Sequence, residues 1–333
     1  MSAAQLVASL QRFQIDSYLD ASAYALLVYD YLLTFEREVR LIWPAKWNIT
    51  KILFVLTRYP VFADSAMVLY HNVGANLSVE MCRSMYNVTG WMFLWGIGIA
   101  ELILIIRTWA IWGRDIRIGL GLSAGFIGLW SVNSYFLNKF LTSLKFEPAQ
   151  AISPSLRGCL PVAGGNLLYI DFVLLMVFET IVLGLTVVKM VYSFRKSTSP
   201  VVVSLYRDGV LFYIYLFAIS LVNVVVLKTT PREYANLLSS LQRSLHSMLS
   251  ARLLMNLREA AVRSRVVADG AALNSTALAA ASGLSSMRFS GQRAKPELTS
   301  AFFSIDDGAW VDGDSHESAS SEDAPLELAP MSV

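Results

Sequence analysis

The chain has 333 residues, of which 55% are hydrophobic and only 16% charged, where soluble domains carry roughly 25% charge. Mean hydropathy is +0.51, and a net charge of +2 leaves no basic excess of the kind nucleic acid demands. Composition thus argues against a soluble domain and a nucleic-acid binder; it points to an all-α polytopic protein whose partner is the lipid bilayer, with apolar runs of about 20 residues matched to a hydrocarbon core of roughly 30 Å.

Residues 1–17 lack the charged start and apolar core of a cleavable signal peptide, so the first span is expected to act as its own targeting signal. Seven spans are predicted, at 18–35, 52–72, 86–106, 118–138, 166–188, 210–228 and 234–254, forming a membrane domain over 18–254. The seventh is the most polar. Leu237, Leu238, Leu241, Leu245, Met248 and Leu249 make its apolar stripe, while Gln242, Arg243, His246, Ser247 and Ser250 share the other side. Such a helix either turns its polar side to the bundle interior or lies amphipathically on the membrane surface.

Lys and Arg near the span ends set orientation. They concentrate after spans one, three and five and after the last span, among them Arg37, Arg40, Lys51, Arg114, Lys196 and Arg258. The bias predicts an extracellular or lumenal N-terminus and a cytoplasmic C-terminus, in the plasma membrane or an endomembrane. Residues 255–268 are expected to form a basic juxtamembrane helix on the anionic inner leaflet. Residues 269–333, rich in Ala, Ser and Gly and acidic at the end, are expected to be a disordered cytoplasmic tail open to a protein partner.

The two cysteines, Cys82 and Cys159, both fall on the predicted outer side, where disulfides persist. A bridge would tie the loop between spans four and five to the mouth of span three; two independent free thiols are the alternative. A pair so placed resembles the loop-to-third-helix disulfide of G-protein-coupled receptors. Asn76-Leu77-Ser78 is an outer-side sequon, and Asn76 is a better glycosylation acceptor than Asn87, which lies too close to the bilayer.

Ionisable groups within spans are costly and therefore candidates for function. Asp30 lies about 7.5 Å above Phe35, and Arg58 about 10 Å above Lys51, on consecutive helices. A structural ion pair between them is predicted. Asp64, Glu101, Asp171, Glu179, Arg243 and His246 are candidates for a polar interior or ligand site. Glu101 and Glu179 fall at similar depth, about 22 and 20 Å from their outer ends. Two carboxylates so placed could hold a cation, share a proton, or accept hydrogen bonds from Arg243 or His246.

Metal and cofactor are both expected to be none. Asp64 and His71 share one helix face, which supplies only two ligands, and no histidine spacing extends the set. Neither a phosphate-binding glycine loop nor a nucleophile elbow is present, so no enzyme is expected. The seventh span contains no lysine for a retinal Schiff base.

Several stretches together resemble a fungal family of multi-pass membrane proteins named after an N-terminal domain of unknown function, DUF-6533. They are Tyr29-Asp30-Tyr31, Thr34, Glu38-Val39, Ile42-Trp43 and Arg58-Tyr59, with the named domain over about 22–67, then Arg107-Thr108-Trp109 and Arg252-Leu253-Leu254-Met255-Asn256-Leu257-Arg258-Glu259. The resemblance implies a seven-span integral membrane protein and supplies no activity. A receptor-like sensor is the favoured reading; a transporter or proton-linked carrier using the intramembrane carboxylates, and a membrane scaffold acting through its tail, are the alternatives.

Overall fold

A computed structural model of the chain describes residues 3–75, 77–148, 158–163, 167–194, 200–229 and 238–281. It is helical apart from one short hairpin. Helix α1 spans Ala3–Leu41, and Pro44 follows in the turn after it. Asn48 then caps α2 (Ile49–Arg58), its side chain accepting from the Lys51 amide at 2.9 Å, as short polar residues do at helix starts. Pro60, which lacks an amide hydrogen, opens α3 (Pro60–Val73) in the first turn where none is needed. The two helices together form a single stretch, Ile49–Val73.

Ser78 caps α4 (Val79–Ile111), and Asp115 caps α5 (Ile116–Ser143). The chain then forms an antiparallel hairpin of β1 (Lys145–Pro148) and β2 (Cys159–Ala163). It continues as α6 (Leu168–Phe194), α7 (Pro200–Thr229) and α8 (Ser239–Ala281). Among the described residues five stretches are long and apolar enough to cross a membrane: Ile49–Val73, Val79–Ile111, Ile116–Ser143, Leu168–Tyr192 and Val210–Thr229. The protein is an integral membrane protein.

Polarity is distributed as lipid requires. The periphery exposes Leu32 and Leu33 of α1, Leu120 and Ile127 of α5, Val177 and Ile181 of α6, and Val222 and Val225 of α7. The interior buries Asp64, Glu101, Gln242, Arg243, His246 and Ser250 completely or nearly so. Charged and hydrogen-bonding groups are sequestered from the apolar surroundings by the helices that carry them.

Helices α1 and α8 run side by side in the same direction. Tyr24 donates to Ser240 at 3.0 Å, Arg252 donates to Asp30 at 2.6 Å, and Arg258 donates to the Leu41 carbonyl at 3.0 Å, so both indices rise together. The α2–α3 stretch is antiparallel to α1: Asn72 meets Asp20 at one end, and Arg58 meets Thr34 towards the other. Towards the Arg258 end the apolar core packs Phe54, Ile103, Leu104, Phe178, Leu216 and Leu254 together.

Cys82 and Cys159 form a disulfide with their Cα atoms 5.8 Å apart. It fastens β2 to the first turn of α4, beside Leu77, Leu137, Phe140 and Phe146. Gly158, just before the bridge, has φ +86° and donates its amide to the Gly74 carbonyl at 3.0 Å. A Cβ there would overlap the Asn72 carbonyl, so only glycine can turn the hairpin down onto the end of α3.

The helices outrun the predicted spans. The first extends past residue 35 to Leu41, and the last begins at Ser239 and shows no break at 254. It passes through the expected juxtamembrane segment and on to Ala281, so 269–281 is helical where disorder was expected. Alanine repeats there favour helix without needing a core. Asn76 and residues 282–333, including the acidic tail, lie outside the described residues.

The disulfide closes a sequence separation of 77 residues, for which the chain-entropy argument allows up to about 4.5 kcal/mol, with about 2–4 kcal/mol typical of disulfides. A Cys82→Ser variant in detergent is expected to melt lower than wild type, and adding reductant is expected to lower wild type only. Equal responses to reductant in both proteins would show that the bridge does not constrain the bundle.

Candidate functional site

The interior site is built outward from one stretch of α8, Ser240-Leu241-Gln242-Arg243-Ser244-Leu245-His246-Ser247. Successive residues of a helix point about 100° apart, so these side chains radiate toward every neighbouring helix. Ser240 accepts from Tyr24 on α1. Gln242 donates to Ser220 at 2.9 Å and accepts from Asn223, both on α7. Arg243 turns to α3, His246 lies between α4 and α6, and Ser247 donates to the Thr57 carbonyl of α2 at 2.7 Å.

Arg243 Nε donates to Asp64 Oδ2 at 3.1 Å, with both side chains fully enclosed. The guanidinium lies across Gly96 of α4, where any Cβ would overlap it. Its two terminal nitrogens and Asp64 Oδ1 have no hydrogen-bond partner among the described residues.

One turn farther along α8, His246 sits between two acids. Its Nδ1 is 3.7 Å from Glu101 Oε1 and its Nε2 is 3.3 Å from Glu179 Oε1. The three side chains are buried, and one ligand atom from each falls within 4.8 Å of the others. Neither ring nitrogen and none of the four carboxylate oxygens has a hydrogen-bond partner among the described residues. Two like charges so enclosed cannot both persist without a compensating proton or cation.

Toward the Arg258 end lies a second charged cluster. Arg58 Nε is 2.6 Å from Glu38 Oε2, while its Nη1 is 3.9 Å from Asp30 Oδ2. Asp30 in turn accepts from Arg252 Nε at 2.6 Å. Arg58 also donates to Thr34 at 2.6 Å and stacks over the Tyr31 ring. Next to this cluster, Arg37 donates to both Asn256 and Glu259 at 2.8 Å. A groove of about 310 Å³ opens nearby, lined by Glu38, Trp43, Trp47, Lys51 and Tyr59.

Asp30 and Arg58 are thus neighbours, but each has a closer partner than the other. The reason is the length of α1: because it continues past Phe35, Glu38 stands on the same helix two turns from Asp30 and meets Arg58 first. Asp64, Glu101, Glu179, Arg243 and His246 come together around α8. Asp171 does not; it is half-buried, two turns from Glu179 on α6, with both oxygens lacking a partner among the described residues. His71 turns away from Asp64 to the Tyr86 and Phe146 rings.

Glu38, the partly exposed Arg252, and Ser220 and Asn223, which pair with Gln242, extend the polar network beyond the candidates that the sequence singles out. Arg252 sits at the predicted end of the last span, where it reads as a loop charge. The signal that marks it is its place about two turns beyond Arg243 and His246 on one uninterrupted helix.

The family described as "Family of unknown function (DUF6533)" matches residues 18–63, the segment that holds Asp30, Glu38 and Arg58. No curated protein matches the chain.

Removing one partner of a buried pair strands the other charge, commonly at about 3–5 kcal/mol. Arg243→Gln is therefore expected to lower thermal stability sharply, and combining it with Asp64→Asn to recover much of the loss. Strictly additive losses across this double-mutant cycle would show that Asp64 and Arg243 do not stabilise each other.

Proposed function

We propose that the protein is a seven-span receptor-like sensor, with its N-terminus outside and its C-terminus cytoplasmic, in which α8 relays the state of the interior polar site to the opposite end of the bundle. Five apolar stretches supply five crossings; α1 and α8 supply the others, with polar sides turned inward. Their shared direction supports this count. A first and a last span that run the same way require an odd number of crossings, which puts the two termini in different compartments. The Lys and Arg bias then assigns the sides.

The observation that carries the sensor reading is that a single helix holds both charged clusters. Arg243 and His246 stand near the disulfide end of α8; Arg252, Arg258 and Glu259 stand near the other, where they meet α1. A helix is stiff over this length, so a shift that re-pairs Arg243 or His246 also moves Arg252 against Asp30. A second arrangement of these ion pairs, reached by such a shift, is the alternative state that a ligand would have to distinguish. The continuation of α8 to Ala281 carries the motion toward a cytoplasmic protein partner.

A carrier is the second reading, favoured by one observation: three titratable groups from three different helices meet at Glu101, Glu179 and His246. Such a site suits a proton or cation in transit.

Reporter tags at the two termini are expected to be accessible from opposite sides of the membrane; tags in one compartment would overturn the topology. Purified protein screened for thermal stabilisation against a ligand panel is expected to yield a compound whose effect is lost in Glu101→Gln. Accumulation of that compound in proteoliposomes, abolished by the same substitution, would replace the sensor with the carrier.

A further inference from the structure

We infer that Glu101, Glu179 and His246 bind one divalent transition-metal ion of the zinc class, clipping α4, α6 and α8 together. The inference deepens the sensor reading and rests on it for the site's place within a membrane-spanning bundle.

Geometry comes first. Zinc binds imidazole nitrogen and carboxylate oxygen at about 2.0–2.2 Å, so tetrahedral ligand atoms stand about 3.3–3.6 Å apart. Here His246 Nε2 stands 3.3 Å from Glu179 and Nδ1 3.7 Å from Glu101; one ion takes only one ring nitrogen, and with one ligand atom from each residue the three fall within 4.8 Å of one another. Turning one ring nitrogen toward both carboxylates and drawing the atoms in from that spacing brings the three onto one ion. Three protein ligands leave a fourth position for water or for an incoming ligand, the arrangement of an open zinc site.

Unpartnered donors point the same way. All three side chains are enclosed, at 0%, 3% and 0% relative exposure for Glu101, Glu179 and His246. Their six polar atoms find no hydrogen bond among the described residues, although buried carboxylates and imidazoles ordinarily secure one. Each of the three residues therefore has an unpartnered atom to offer an ion.

Charge decides the class. Two carboxylates, one neutral imidazole and one divalent cation sum to zero, the least costly state for a cluster surrounded by apolar helices. Arg243, one turn away on α8, is committed to Asp64. A hard cation such as Mg²⁺ or Ca²⁺ needs six or more oxygens, mostly from carboxylates, carbonyls and water; an imidazole in a set of three selects zinc or its first-row neighbours. The competing occupant is the proton, with an imidazolium held between the acids.

The test uses the full-length protein, purified in detergent and stripped with chelator, with Co²⁺ and Zn²⁺ as probes. Co²⁺ is expected to give the intense visible absorption of a tetrahedral nitrogen and oxygen site at one equivalent, and Zn²⁺ to displace it and raise the melting temperature. Affinity is expected to fall about 100-fold or more in His246→Ala and in Glu179→Gln, ligand loss being at least as severe as loss of an outer-shell partner. Asp171→Asn is expected to leave binding unchanged. Weak octahedral absorption from wild type, equal stabilisation by Mg²⁺, or an undiminished signal in a folded His246→Ala/Glu179→Gln double variant would each overturn the inference. The wild-type spectrum decides the matter even if the variants do not fold. Failure here with termini on opposite sides removes the metal alone, whereas termini on one side remove the topology whatever the metal does.

Discussion

The whole bundle depends on one constraint: charges withdrawn from water into a lipid-surrounded interior must find partners there. Born-type costs for a bare carboxylate or guanidinium remain several kcal/mol per ion after relaxation. In this protein those charges sit on five different helices, and α8 is the element through which most of them are answered. Asp64 is met by Arg243 and Asp30 by Arg252, while Glu101 and Glu179 both face His246. The apolar side chains of the other helices seal this core from lipid. Helix placement follows from matching charge to charge as much as from fitting surface to surface.

The two clusters differ in how completely they are satisfied. Around Arg58 the accounts nearly close: Glu38, Asp30, Thr34 and the Tyr31 ring all surround one guanidinium. A crowded arrangement of that kind favours a single packing, and it lies in the segment matched by the family of unknown function. Around His246 the polar atoms converge without closing. The first cluster is closely ion-paired and the second is not, and α8 passes through both.

Much of this was legible in the sequence. The apolar runs mark the helices, because hydrocarbon thickness imposes a length that composition reveals. The depth match between Glu101 and Glu179 follows from helical rise alone, whereas the polar side of the last helix fits either an interior or a surface position, and burial of Gln242, Arg243 and His246 is what places it inside. The cysteine pair is readable from its placement, and the structure contains the bridge. What remained hidden has a physical cause. Asp30 and Arg58 were paired on depth, but depth along one hairpin says nothing about a third helix, and Arg252 comes from more than 200 residues away. Glu38 looked like a loop charge because hydropathy ends at Phe35, whereas backbone hydrogen bonding carries α1 on to Leu41. The Glu101–Glu179–His246 cluster escapes a search for ligands spaced along one helix because each of its members comes from a different one.

The parallel seating of α1 and α8 has a consequence for biosynthesis. A ribosome delivers α1 first and α8 last. The early hairpin can neutralise itself while translation proceeds, since Arg58 finds Glu38 and Asp30 within the first sixty residues. Asp64 has no such local remedy and waits until Arg243 leaves the translocation machinery. Until that moment the nascent chain holds Asp64 in the bilayer without the partner it has in the finished bundle, so a product truncated before α8 never acquires it.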